Sequence, residues 1–234
     1  MVIALVAGAI AVSLPASRDG GAGKAAGAVP LDNPDGTMPG LAPVASDAHR
    51  AEALDLIKGL PVAQPGAVSG YEPARYGETW SDNAPDVPFT GNGCDTRDDL
   101  LARDGADVRY QAGSRCVVTA MTLGDPYTGD TVTWRRGGSA GVRVDRVVPL
   151  SYGWRMGASG WPAAKRLRFA NDPLNLLTVG RSPGTPKRGG GPAAWLPPLP
   201  EARCAYSVRF AQVAGKYDLP VTTADRSAML AQCF

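Results

Sequence analysis

Histidine occurs once in 234 residues, at position 49. A single imidazole excludes a histidine-rich metal centre, and it excludes a Ser-His or Cys-His relay that does not use His49. Aromatic residues are 7% and charged residues 20% of the chain, while Gly 29 and Pro 21 together make up about a fifth of it. That composition excludes a coiled coil, a collagen-like repeat and a wholly disordered chain. With 44% apolar residues it allows one compact domain with generous loops. No charge of one sign dominates: Lys+Arg 24 against Asp+Glu 22 leaves +2, which argues neither for nor against a polyanionic partner. The four cysteines contain no C-x-x-C pair, which argues against a zinc ribbon or a thioredoxin-type site.

One long apolar run is present. Residues 2–16 carry no charge and are shorter than the roughly 20 residues a spanning helix needs, so they suit a secretory segment better. No Lys or Arg precedes the run, and Leu14 stands where a small residue is preferred before a cut after Ala16. Residues 1–16 are read as a signal peptide or signal anchor, the alternative being a buried apolar helix. Any membrane association is confined to an uncleaved form of that segment. Residues 17–45 hold little to bury and read as a flexible linker, leaving 46–234 as one domain. Ser46 is a good N-cap for a helix over Ala48–Lys58, with Leu54 and Ile57 on one side. His49 in its first turn reads as a solvated helix-start residue rather than a catalytic one.

Four cysteines allow three pairings. Tyr206, Phe210, Val213 and Tyr217 mark one helical face, Pro220 sits in the connection that follows, and Thr222 with Asp225 resembles a cap for a last helix. An antiparallel helical hairpin brings Cys204 beside Cys233 and leaves Cys94 with Cys116. Between these pairs the chain is β-rich. Val108–Gln111, Cys116–Leu123, Thr131–Arg135, Val142–Val148 and Asn175–Val179 read as strands, and Trp161–Phe169 reads as a helix with Pro162 in its first turn. Residues 180–192 read as a loop. The fold class is α+β, with no alternating βαβ series.

Charge is uneven along this region. From Glu72 to Arg109 there are nine acidic and four basic residues; from Arg135 to Arg188 there are eleven basic and two acidic, Asp145 and Asp172. Arg143, Arg155, Arg166, Arg168 and Arg188, with Trp154 and Trp161 in the same window, are candidates to track a phosphate backbone. A solvated basic face balanced by the acidic half is the other reading.

Asp145-Arg-Val-Val-Pro-Leu150, Phe169-Ala-Asn-Asp-Pro-Leu-Asn-Leu-Leu177 and Trp195-Leu-Pro-Pro198 come in an order that resembles the exported HNH-type endonucleases related to the GmrSD restriction enzymes. Tyr71, Arg75, Tyr76-Gly77, Trp80, Asp82, Gly93–Leu100, Arg103-Asp104, Asp125-Pro-Tyr-Thr-Gly129 and Cys204-Ala-Tyr206 follow the same pattern. The resemblance runs from about residue 54 to residue 233. It implies a ββα-metal (HNH-like) core, with an upstream β-rich segment and a C-terminal disulfide-stapled helical hairpin. In such a core a strand ends in Asp-His, the histidine acts as general base, and the aspartate binds a divalent cation such as Mg²⁺. An Asn or His on the closing helix supplies a second ligand, and a central Asn orients the histidine or its loop.

The chain departs from that pattern at the chemistry itself. The Asp-His position is Asp145-Arg146, and a guanidinium cannot take a proton from water at neutral pH. The closing motif, usually Asn-x-x-Lys-Gly-Asp, is Gly184-Thr-Pro-Lys-Arg-Gly189, in which only Lys187 persists. Arg146, Asn171, Asn175 and Lys187 are thus the catalytic-site positions carried over. Asp145 is the one metal-ligand candidate, or else the partner of Arg146 or Lys187 in an ion pair. Asn171 and Asn175 either touch substrate or bridge loops through their amides, and Asp95, Arg97 and Asp98 tie the upstream segment to the core. No small-molecule cofactor is expected. Three readings stay open: a nucleic-acid or polyanion binder without catalysis, a metal-dependent nuclease with a displaced base, and an exported interaction module.

Overall fold

The computed structural model describes residues 31, 33–41, 44–181 and 187–234. The expected signal segment 1–16, most of the 17–45 linker and Gly184 lie outside the described residues. Helix α1 (Asp47–Gly59) starts where Ser46 predicts, with the Ser46 side chain accepting the His49 amide. Its Ala53 and Ile57 are buried. His49 is half-buried rather than solvated, and its Nδ1 has no hydrogen-bond partner among the described residues.

Helix α2 (Thr96–Asp104) feeds directly into an antiparallel three-stranded sheet of β1 (Gly105–Tyr110), β2 (Val118–Gly124) and β3 (Thr131–Arg135), in the order β1-β2-β3. Ala120 faces Arg135 and Leu123 faces Val132 across β2 and β3. β1 begins earlier than Val108 because its pairing with β2 carries a bulge around Asp107, which has φ 53°. Strand β4 (Val142–Arg146) pairs antiparallel with β5 (Leu176–Gly180), so that Asp145 faces Leu177 and Arg146 faces Leu176.

Between β4 and β5 lie helix α3 (Leu150–Arg155) and helix α4 (Ala163–Asn171). The predicted Trp161–Phe169 helix starts two residues late because Pro162 is its N-cap rather than its first turn. The predicted Val142–Val148 strand stops at Arg146. Val147 N still donates to Asn175 O at 2.8 Å in the same register, but the Asn175 amide returns to Asp172 O, and Val148 N donates to the Asn175 side chain, at Oδ1, at 2.7 Å. Of the loop expected over residues 180–192, Gly180 ends β5 instead, and residues 187–192 carry neither helix nor strand.

Helices α5 (Ala202–Lys216) and α6 (Thr223–Leu230) form the C-terminal hairpin. Tyr206, Phe210, Val213 and Tyr217 all face the core, and Thr222 caps α6 by accepting the Asp225 amide. Disulfides Cys94–Cys116 and Cys204–Cys233 both form, and no described cysteine is free. The architecture is mixed α+β with two small sheets. A main core of Val147, Val148, Phe169, Leu177, Tyr206 and Phe210 lies beneath β4 and β5, and a smaller one beneath β2 holds Leu101, Val118, Met121, Leu123 and Trp134.

Packing begins upstream of residue 46. Arg103 Nη1 donates to Gly36 O at 2.7 Å, and Gly40 N donates to Asp104 Oδ1 at 3.1 Å. The stretch around residues 36–40, read from sequence as linker, is therefore docked onto α2. Its backbone groups are held by the Arg103 and Asp104 side chains, so no apolar periodicity marks it in the sequence.

Candidate functional site

The end of β4, the Pro149–Ser151 turn and the Lys187–Gly189 segment enclose a cleft of about 410 Å³. Tyr71, Arg143, Asp145, Arg146, Lys187 and Arg188 line it. Its geometry starts from strand periodicity. Arg143 and Asp145 are two apart and share a face of β4, while Arg146 ends the strand and turns away. Arg146 Nε donates to Ala170 O at 3.1 Å, and its guanidinium lies 5.1 Å from the centre of the Trp80 ring. Burial lowers the Arg146 pKa from the usual arginine value and Asp145 opposes that shift. In its charged form the group has donors and no acceptor, so it accepts no proton from water.

Asp145 is tied inward. Tyr127 Oη donates to its Oδ2 at 2.9 Å, and Lys187 Nζ donates to the same oxygen at 3.1 Å. Lys187 Nζ also donates to Arg146 O at 2.6 Å and to Val147 O at 2.7 Å. The Trp195 and Tyr206 rings lie 5.3 Å and 5.1 Å from it. Burial holds the Lys187 ammonium below the ordinary lysine range, with Asp145 pushing the other way. Burial, with the Asp145 charge adding, raises the Tyr127 phenol well above its ordinary value. Of the two ion pairs open to Asp145, the one with Lys187 forms.

Asn171 and Asn175 are both fully buried. Asn171 Nδ2 donates to Glu78 O and Leu167 O, and its Oδ1 accepts the Ser81 amide at 3.0 Å. Asn175 Nδ2 donates to Val148 O and Phe169 O, while Oδ1 accepts from Val148 N. Both amides bridge loops: Asn171 pins the Glu78–Ser81 stretch to α4, and Asn175 pins the turn that follows Arg146. Asp95 caps α2, and Asp98 accepts from Val118 N and pairs with Arg136, which ties the upstream helix to the sheet.

The five arginines proposed for phosphate contact divide. Arg143 and Arg188 line the cleft and are exposed. Arg155 lines a separate cleft of about 250 Å³ with Tyr152 and Asp225. Arg166 is spent on carbonyls, donating to Arg75 O at 2.7 Å and to Trp161 O. Arg168 pairs with Asp86 at 3.1 Å. Sequence reasoning singles out neither Tyr127 nor Tyr206 for the site. The signal at Tyr127 is an aromatic inside a polar turn, where the turn is built by Asp125 accepting from Tyr127 N and Thr128 Oγ1.

A divalent ion at Asp145 would have to share a carboxylate whose Oδ2 already accepts from both Lys187 and Tyr127, with the Lys187 ammonium beside it. Among the described residues, no group of three or more His, Cys, Asp or Glu is placed to hold a metal. The described residues around Asp145 do not fit that ion.

An α+β chain with two disulfides and a cationic cleft at a strand end is the class that fold and site define. No family model matches the chain, and no solved structure matches it. A protein from Arthroderma benhamiae, described as an uncharacterized secreted protein, is 36% identical over 179 residues, which is 76% of this chain and 81% of that protein. The chain belongs to the family of that secreted protein. Two disulfides fit the same extracytoplasmic setting. Among the described residues no helix is long and apolar enough to cross a membrane.

Proposed function

We propose that this chain is an exported protein on an HNH-endonuclease scaffold that holds a nucleic-acid phosphate backbone without cutting it. The observation that carries the reading is the cleft at the end of β4. Arg143, Arg146, Lys187 and Arg188 line it with a single carboxylate, Asp145, which Lys187 already neutralises, and no imidazole lines the cleft. Cations positioned around a concave surface attract phosphates with little regard to sequence. Hydrolysis additionally needs a group that can take a proton from water, and Arg146 stands where the resemblance expects that group.

Two measurements on one preparation test this. Filter binding of duplex DNA across a salt series should give log K against log salt a slope of roughly −2, for the two exposed cations Arg143 and Arg188 at about −0.9 each. Arg143→Ala with Arg188→Ala should lower affinity and flatten that slope, whereas Arg168→Ala should do neither. Plasmid nicking with Mg²⁺, Mn²⁺ or Ca²⁺ at low salt should show no cleavage. Cleavage that Asp145→Ala abolishes would replace this reading with a nuclease using a displaced base. No cleavage together with no salt-dependent retention leaves an exported interaction module.

A further inference from the structure

We infer that Lys187 is the resident cation of the β4 cleft: its ammonium, held between Asp145 Oδ2 and the carbonyls of Arg146 and Val147, is the counter-ion of that carboxylate in place of a divalent metal, so the cleft receives a phosphate group without metal. The phosphate as ligand rests on the function proposed above; the resident cation does not.

An ammonium has three N–H donors and no acceptor. All three acceptors it needs are present, at 3.1, 2.6 and 2.7 Å. The Lys187 side chain is 8% exposed, and a charge so far out of water persists only where fixed partners replace its hydration. Here one full negative charge and two carbonyl dipoles do so, and the Trp195 and Tyr206 rings lie close on other sides. Separations of 2.6–3.1 Å belong to hydrogen bonds from nitrogen, whereas Mg²⁺ demands oxygens at about 2.1 Å in octahedral array.

The backbone explains how two consecutive carbonyls serve one ammonium. Pairing with β5 ends at Arg146, and Val147 and Val148 are then held by Asn175 through its backbone oxygen and its side-chain Oδ1. The Asn175 amide donates to Asp172 O, which leaves the Val147 carbonyl without a ladder partner, and Arg146 occupies a non-hydrogen-bonded register position whose carbonyl points away from β5. Tyr206 Oη donates to the same Val147 oxygen at 3.1 Å, using its second lone pair. Tyr127 completes the arrangement by donating to Asp145 Oδ2 beside the ammonium. Asn175 and Tyr127 are positioning residues for a cation supplied by the chain itself.

The test uses the intact oxidised protein. Brief acetylation with an N-hydroxysuccinimide ester at neutral pH, read by peptide mass spectrometry, should modify exposed Lys58 at least about tenfold faster than Lys187, whose amine reacts only on local opening. EDTA or millimolar Mn²⁺ should leave that ratio unchanged. In parallel, the electron paramagnetic resonance signal of free Mn²⁺ should not fall on adding the protein, and retention of duplex DNA should survive EDTA. Acetylation of Lys187 as fast as Lys58 overturns the inference. So does stoichiometric loss of the Mn²⁺ signal that Asp145→Ala restores, or DNA retention that requires Mn²⁺. A protected Lys187 and a silent Mn²⁺ titration without DNA retention would leave the resident cation standing and remove the proposed function instead.

Discussion

Asn175 and Val148 are joined twice: Asn175 Oδ1 accepts the Val148 amide at 2.7 Å, and Asn175 Nδ2 donates to the Val148 carbonyl at 3.2 Å. A side-chain amide thereby replaces a strand neighbour at the point where β4 ends. Asn175→Ala strips a partner from buried backbone groups of Val148 and Phe169, which should cost about 2–4 kcal/mol. Asn175→Asp should be no gentler, because it loses both Nδ2 donors and buries a carboxylate. Urea unfolding checks both, and acetylation of Lys187 should accelerate in either variant that still folds, since the carbonyls that hold it lose their support.

Elements set by local rules are legible in the amino-acid sequence. The Ser46 and Thr222 caps and the face of Tyr206, Phe210, Val213 and Tyr217 follow from spacing over a few residues, and the hairpin they define brings Cys204 to Cys233. Helix α2 is not legible as a helix, since TRDDLLARD offers only Leu100 and Leu101 to an apolar stripe. It is buried as much through Thr96 and Asp98, whose partners Ser81 and Val118 lie elsewhere in the chain. Helix α3 escapes because Gly153 argues against a helix. The fold uses that glycine for close approach, since a Cβ there would lie 3.2 Å from the Phe169 ring. At the site, the Asp145–Lys187 pair is one of the two that the sequence leaves open. Tyr127 and the two carbonyls are not legible, because they meet only once the β2–β3 connection and the end of β4 are packed together.

Loss of the Cys204–Cys233 bridge should cost about 3–4 kcal/mol, from the chain entropy of a closed loop of some 29 residues. Cys204→Ala with Cys233→Ala is the cleaner variant, because Cys233 is 1% exposed and a serine would bury an unpaired hydroxyl there. The Cys94–Cys116 loop spans 22 residues and should be worth nearly as much on the same reasoning. Denaturant midpoints of the two double variants give the comparison. The intact mass of the natural protein should show no alkylatable thiol.

Asp99 makes stability depend on pH in an unusual direction. Burial, with the charges of Asp82, Asp95 and Asp98 adding and the hydrogen bond from Asn92 opposing, raises its carboxyl to about 6. Its Oδ2 is buried without a hydrogen-bond partner among the described residues. An acid whose folded pKa lies above its unfolded one binds its proton more tightly when folded, so its contribution to stability falls as pH rises from about 4 through about 6. Asp99→Asn keeps an acceptor for Asn92 Nδ2 and removes the charge. The variant should be more stable by on the order of 1 kcal/mol near pH 7.5, a figure reduced for partial exposure of the site. The gain should vanish below about pH 4, where the unfolded chain also holds the proton. Paired urea titrations at the two pH values decide it, and an equal gain at both would remove the electrostatic account.

Arg103 holds together three parts of the chain that are distant in sequence. Its guanidinium donates to both oxygens of Asp104, to Pro173 O at 2.9 Å and Leu176 O at 2.8 Å, and to Gly36 O at 2.7 Å. Asp104 in turn accepts from Gly40 N and Thr178 N. The two side chains are 2% and 3% exposed. Removing one partner of such a pair leaves a buried charge uncompensated, so Arg103→Met should cost about 3–5 kcal/mol. Arg103→Met combined with Asp104→Leu should cost clearly less than the two single changes summed, since the stranded charge is then gone. A second effect separates this clamp from ordinary core packing. Gly36 lies so close to Leu174 that a Cβ would come within 2.1 Å of its amide nitrogen, so the contact depends on the backbone of residues 36–40 being drawn in. In the Arg103→Met variant that segment loses its strongest anchor, and limited proteolysis should cut near residues 36–40 at least about tenfold faster than in the unaltered chain, under conditions where the rest of the domain is still folded. Unchanged cleavage there would show that the segment is held by packing against Leu174 and Pro173 rather than by the guanidinium.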